Sequence, residues 1–244
     1  LSKLHTQRVA DLKERTINMA RVSNILFVHG AWANSSAWER VLPLTEAAGL
    51  GGIAVSLALT SLADDVATVK RAIALIDGPV LLVGHSYGGA VITEAGSEPN
   101  VAGLVYVAAF APDTGESAGS LGAGGPPTRL LEVVRPDANG FYKLTREGVD
   151  EVFAQDLAEE ERALIFATQN PLAGAALGAE ITSPAWREKP SRYLLASEDR
   201  TIHPELQQKM SARMSATVLT VASSHLPMLS HPQAVADLIG QAAG

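Results

Sequence analysis

Short runs of consecutive apolar residues alternate along this chain with longer stretches whose apolar positions recur every three or four residues. Ile25–Val28 is the first clear run, and Gly52–Val55 is a weaker one. Val80–Val83 and Leu104–Val107 are continuously apolar, and Arg192–Ala196 and Thr217–Val221 complete the series. Runs apolar on both faces predict strands covered by helices on both sides, as in a parallel sheet. Between them, helices are predicted over 36–48, 61–76, 87–97, 203–214 and 232–242. Asn34 and Ser35 are candidate N-caps for the first. Ser61 and Asp64 stand at capping-box spacing for the second, where Leu62, Val66, Val69, Ile73 and Ile76 follow at helical intervals. This alternation predicts an α/β protein with a mostly parallel, doubly wound sheet of about six strands.

One region breaks the pattern. Residues 112–189 contain no convincing strand. They open with the Gly/Pro-rich stretch GESAGSLGAGGPPTR, read as a mobile loop, and continue with helical patterns over 146–158 and 159–167. An insertion of this size between two core strands reads as a helical cap over the carboxyl ends of the strands, where open α/β sheets bind ligands. The organisation expected is an N-terminal extension over 1–22, a core made of 23–111 and 190–244, and a cap over 112–189. The first eighteen residues are charged and lack the apolar stretch of a secretory signal. They read either as an upstream extension before Met19 or as a short amphipathic helix with Leu4, Val9, Leu12 and Ile17 on one side.

Composition narrows the chemistry. A length of 244 residues fits one large α/β domain, and 47% apolar residues supply a sizeable core. A net charge of −7 argues against a nucleic-acid partner, and no apolar stretch approaches the length of a membrane span. Without any cysteine, disulfides, zinc–thiolate sites and a thiol nucleophile are excluded, and the cytoplasm is the expected compartment. There is no Gly-rich dinucleotide fingerprint after a strand and no P-loop lysine pattern. The expected oligomeric state is a monomer or homodimer.

The candidate chemistry lies in Gly84-His85-Ser86-Tyr87-Gly88, a G-x-S-x-G sequence between an apolar strand and a helical pattern. A sharp strand-to-helix turn there lifts a serine hydroxyl above the sheet at a helix N-terminus, where free N–H groups favour negative charge. A serine needs a base. His225 follows the last predicted strand and so reaches the same sheet edge. His5 lies in the extension, His29 and His85 read as loop buttresses, and His203 and His231 precede prolines that open helices. The base needs an acid to orient it. Asp199, after the strand 192–196, completes the chain order Ser, Asp, His; Asp113 and Glu198 are the rivals. The amides of Tyr87 and Ala31 are the expected oxyanion donors. Trp32, Tyr87, Phe110, Phe153, Phe166 and Leu226 are candidate pocket residues. No metal and no organic cofactor is required by this chemistry.

The runs LFVHGAWANSSAWERVLPLTEAAG, VGHSYGG, YLLASEDRTIHPELQQKM and SSHLPMLSHPQAVADLI resemble those of small proteins of the α/β-hydrolase fold. Within that fold they are most similar to the methylesterase and hydroxynitrile-lyase group and its bacterial esterase relatives, over about residues 23–240. The resemblance implies a compact sheet, Ser86, Asp199 and His225 as catalytic triad, Ala31 and Tyr87 as oxyanion hole, and a small-molecule ester as substrate. It leaves perhydrolysis, lactone opening, amide or C–C cleavage, and a slow-turnover receptor role as alternatives on the same triad. Hydroxynitrile lyases of this type carry a Thr after the first loop His and a Lys after the catalytic His. Here Gly30 and Leu226 stand there, so no cation supports cyanide departure.

Overall fold

The computed structural model describes residues 22–244, so the two readings of residues 1–18 and most of the 1–22 extension lie outside the described residues. Nine strands run in chain order among the described residues. They are β1 (Asn24–Val28), β2 (Gly51–Val55), β3 (Val80–His85), β4 (Val101–Val107), β5 (Val134–Pro136), β6 (Phe141–Leu144), β7 (Leu172–Ala173), β8 (Ser191–Ala196) and β9 (Thr217–Val221).

Six of them form one sheet in the order β2-β1-β3-β4-β8-β9. Every neighbouring pair in it is parallel. The central β3 is buried along its whole length, as its unbroken apolar run demands, whereas the edge strands β2 and β9 are partly exposed. The chain leaves β1 toward β2 on one side and returns to β3 on the other. That reversal opens a crevice at the carboxyl ends of β1 and β3, the place where open α/β sheets hold ligands.

The helices follow from local signals. Ser61 accepts a hydrogen bond from the Asp64 amide and opens the helix Leu62–Ala74, whose buried Leu62, Val66, Val69 and Ile73 share one face. The single helix expected over 36–48 is instead a 3₁₀ turn, Ser35–Trp38, and a short helix, Leu42–Ala47. Pro43 explains the break: lacking an N–H, it is tolerated in a first turn but not in a helix interior.

The insertion between β4 and β8 differs from its sequence reading in two ways. It carries a three-stranded antiparallel sheet, β5-β6-β7, where no strand was expected. The hairpin turn is built by Asp137, whose Oδ1 accepts the amides of Asn139 and Phe141, and by Gly140 at φ 79°. The Gly-rich stretch read as a mobile loop contains the helix Ala118–Gly124. Ser117 and Ser120 cap it reciprocally, each hydroxyl taking the other's amide, and Ala118 is buried against the core. Packing there overrides the poor helix propensity of glycine. The pattern over 146–158 forms only one helical turn, Arg146–Gly148, and a π-turn, Val149–Phe153, before Glu159–Thr168 resumes as α-helix. Polar contacts tie the insertion to the core, among them Trp32 Nε1 donating to the Tyr142 carbonyl, the Ala173 amide to the Leu59 carbonyl, and Asn170 Nδ2 to the Ala33 carbonyl.

Candidate active site

Ser86 sits between β3 and the helix Tyr87–Ala95 with φ 53° and ψ −123°, a region that L-residues avoid. Holding a residue there costs about 1–3 kcal/mol and requires the surroundings to over-determine it. They do so through three backbone bonds. The Ser86 amide donates to the Val107 carbonyl, and the Ser86 carbonyl accepts from the amides of Gly89 and Phe110. Close approach is made possible by missing side chains: a Cβ at Gly84 would lie 2.6 Å from the Gly88 carbonyl oxygen, and one at Gly88 would lie 2.5 Å from that of Val28.

The hydroxyl meets the imidazole from the far end of the chain. Ser86 Oγ lies 2.8 Å from His225 Nε2, and His225 Nδ1 lies 2.7 Å from Asp199 Oδ2. All three side chains are buried, and His225 is fully inaccessible. With Nδ1 donating to the carboxylate, Nε2 is left as the acceptor for the serine hydroxyl, which is the tautomer a general base needs.

Four donors converge on Asp199. Its Oδ1 accepts the amides of Thr201 and Ile202, and its Oδ2 accepts Gln207 Nε2 at 2.8 Å as well as His225. Gln207 is fully buried and is itself pinned, donating to the Ile202 carbonyl and accepting the Ala196 amide. Sequence reasoning missed it. The signal was a glutamine on the apolar face of the helix Pro204–Arg213, beside buried Leu206 and Met210. The two rival acids are committed elsewhere. Asp113 pairs with Arg187 and its amide binds Glu116, while Glu198 is exposed and engages neighbours through its backbone.

The loop after β1 faces the same crevice. Neither the Ala31 nor the Tyr87 amide has a hydrogen-bond partner among the described residues, and both residues line the cavity that Ser86 opens into. A Cβ at Gly30 would lie 2.6 Å from Ser86 Cβ, so this geometry has no room for the threonine that hydroxynitrile lyases carry there. His29 buttresses the loop: Nδ1 donates to the Gly30 carbonyl and Nε2 accepts the Leu57 amide. Burial pushes its pKa down to about 4, so it is neutral at neutral pH. Tyr87 extends its phenol away from Ser86 to Asp65 Oδ2 at 2.9 Å, and Asp65 Oδ1 accepts the Leu59 amide. Burial raises the Asp65 pKa. Sequence reading had not singled out this buried carboxyl, because it directly follows Asp64, the residue whose amide caps onto Ser61.

The cavity measures about 330 Å³. Trp32, Tyr87, Phe110, Ala118, Leu177, Ile202 and Leu206 form much of its wall, and no Lys, Arg, Asp or Glu lines it. Of the other expected pocket residues, Phe153 does not line this cavity but packs its ring 5.2 Å from that of His225 and edge-on to Trp32. Leu226 lines a smaller neighbouring cavity with Phe153. Phe166 reaches neither cavity: it is 38% exposed on the outer helix Glu159–Thr168. Among the described residues, no group of three His, Asp or Glu comes together as a metal site would require.

The sequence model of the alpha/beta hydrolase family matches residues 25–238. The chain belongs to that family. Its curated relatives include a pyrethroid hydrolase of Sphingobium wenxiniae, 28% identical over 89% of this chain and 86% of the relative. Methylesterase 2 of Arabidopsis thaliana is 24% identical over 89% and 94% of the two chains. A crystal structure of a pyrethroid hydrolase from Sphingobium faniae superimposes with a TM-score of 0.80 at 25% identity, covering 91% of this chain and 97% of that one. Polyneuridine aldehyde esterase shares the fold, with a TM-score of 0.79 at 20% identity over 91% and 100% of the chains. This alpha/beta hydrolase therefore has relatives that are hydrolases and esterases over nearly their whole length. No helix among its described residues is long and apolar enough to cross a membrane.

Proposed function

We propose that this alpha/beta hydrolase cleaves a small, neutral carboxylic ester through an acyl-enzyme on Ser86. The observation that carries the reading is the buried line Ser86–His225–Asp199, with both hydrogen bonds under 3 Å. His225 Nε2 takes the Ser86 proton as Oγ bonds to the carbonyl carbon. The amides of Ala31 and Tyr87 receive the oxygen on which charge develops. His225 then returns the proton to the departing alcohol as the C–O bond breaks. Water repeats the cycle: His225 takes its proton as its oxygen bonds to the acyl carbon, and His225 returns that proton to Ser86 Oγ as the acyl–Oγ bond breaks and the acid leaves.

The substrate class follows from the wall of the cavity. A charged acyl or alcohol group placed there would lose its water and find no Lys, Arg, Asp or Glu to pair with. An uncharged apolar group loses little and gains contact with Trp32, Phe110, Leu177 and Leu206. The esterase and hydrolase relatives support the same class of reaction.

The reading is tested with a fluorophosphonate probe and a panel of p-nitrophenyl esters, with lactones and amides alongside. Ser86 should carry the label, and neutral acyl esters should turn over faster than dicarboxylate monoesters of equal length. Ser86→Ala should lose both label and turnover while keeping its melting temperature. Labelling of another residue, or undiminished turnover in Ser86→Ala, overturns the reading.

A further inference from the structure

His85 stands immediately before the nucleophile and is fully buried. Its Nε2 lies 2.8 Å from the backbone carbonyl oxygen of His225, across 140 residues of sequence. A carbonyl only accepts, so Nε2 carries the proton and donates it. Its Nδ1 is buried with no hydrogen-bond partner, and the Gly30 backbone closes over it, since a Cβ at Gly30 would lie 3.0 Å from that atom. The two rings, His85 and His225, lie 4.7 Å apart between centroids. A side chain present only to fill space here would be apolar. An imidazole leaves one nitrogen unsatisfied, which costs stability unless its other nitrogen does something an apolar group cannot.

We propose that His85 is a positioning residue for His225: its neutral Nε2–H holds the His225 backbone and so sets the line from Asp199 through the imidazole to Ser86. The inference rests on the reading of Ser86 as nucleophile and His225 as base. The backbone of residue 85 fixes Ser86 by direct linkage, and its side chain fixes His225. Nucleophile and base are thus joined through one residue in a closed loop of covalent and hydrogen bonds. Other contacts of the His225 loop act on its neighbours: the Ser224 amide donates to Asp156 Oδ2, and the Leu226 amide to Ser224 Oγ. Burial and the neighbouring His225 and His29 rings oppose protonation of His85, so it adds no charge beside the base.

The test uses the full chain with ¹⁵N-labelled histidine, together with His85→Leu and His85→Gln. In the unmodified protein, His85 should show the neutral tautomer protonated on Nε2. A proton on Nδ1, or an imidazolium at neutral pH, overturns the proposal without any variant. His85→Leu should lower kcat by about 10- to 100-fold with KM changed less than about twofold, as expected for a misplaced group that acts only in the transition state. The downfield proton of the His225–Asp199 bond should broaden or shift in parallel. His85→Gln, whose amide can still donate to the carbonyl, should recover most of kcat and restore that resonance. An unchanged kcat and unchanged resonance in His85→Leu overturn the proposal, as does a His85→Gln no better than His85→Leu at equal melting temperature. Failure of Ser86 to label in the unmodified protein would instead sink the underlying reading.

Discussion

At the scale of single residues, the site depends on hydrogen bonds that fix orientation rather than on charge alone. Asp199 holds His225 through one oxygen that Gln207 also engages. Gln207→Leu should therefore lower kcat by about tenfold while leaving Ser86 labelled, because Asp199 keeps three of its four donors. Asp199→Asn should cost several orders of magnitude, since the amide favours the wrong imidazole tautomer, and Asp113→Asn should be nearly silent in the same esterase assay. Gly30→Ala brings a methyl against Ser86 Cβ and the His85 carbonyl, so it should destabilise the fold by about 1–3 kcal/mol and reduce kcat, read by thermal melting and initial rates. The hydrogen-bonded line of Ser86, His225 and Asp199 could be anticipated from the sequence because a G-x-S-x-G turn between strand and helix has local spelling and the other two residues follow strands. Gln207, Asp65 and the His85–His225 contact were not, because each is a contact between segments distant in sequence or an ordinary polar residue on an apolar face.

At the scale of elements, the insertion does more than cover the crevice. Tyr87 OH and the Leu59 amide both end on Asp65, and the Leu59 carbonyl accepts the Ala173 amide from β7. The helix that follows Ser86 is thereby linked through one buried carboxyl to the insertion. Tyr87→Phe removes a donor and leaves Asp65 Oδ2 buried without it, so a loss of about 1–3 kcal/mol is expected by chemical denaturation. The helix Ala118–Gly124 shapes the cavity through what it lacks. A Cβ at Gly122 would stand 3.9 Å from the Phe110 ring, in ordinary contact, so the position accepts a side chain. Gly122→Leu should shorten the longest acyl ester accepted, lowering kcat/KM for long chains more than for acetate esters. The sequence pattern named the core elements because strands buried on both faces spell continuous apolar runs. The strands of the insertion escaped it because β5, β6 and β7 are two to four residues long, too short to show a period, although Asn139-Gly140 is a hairpin signal.

At the scale of the whole molecule, two buried histidines set the response to acid. His29 and His85 take up protons in the unfolded chain near their ordinary pKa of 6.5 but resist them when folded. The unfolded state therefore binds more protons between about pH 6.5 and 4, and stability rises with pH across that window. The contribution is present in full above pH 6.5 and is lost as pH falls toward the folded pKa of about 4 for His29. That shift corresponds to about 3 kcal/mol for His29. Asp65, raised by burial, works in the opposite sense, while Asp113 and Glu116, lowered by their arginine partners, add to the loss below their ordinary carboxylate range. Melting temperature should fall steadily from pH 7 to pH 4, and a flat profile would contradict the assignment.

The amino-acid sequence by itself determined the layered α/β architecture, the bend that lifts Ser86, and the chain order of its partners. These are properties of short segments, and periodicity and backbone sterics act within a segment. The tertiary structure alone decided which polar side chains meet across the fold, which helix lines the cavity, and that Phe166 faces outward while Phe153 packs on the His225 ring. Those outcomes depend on the relative placement of segments far apart in the chain. Burial and hydrogen-bond satisfaction settle that placement only when every segment is in position.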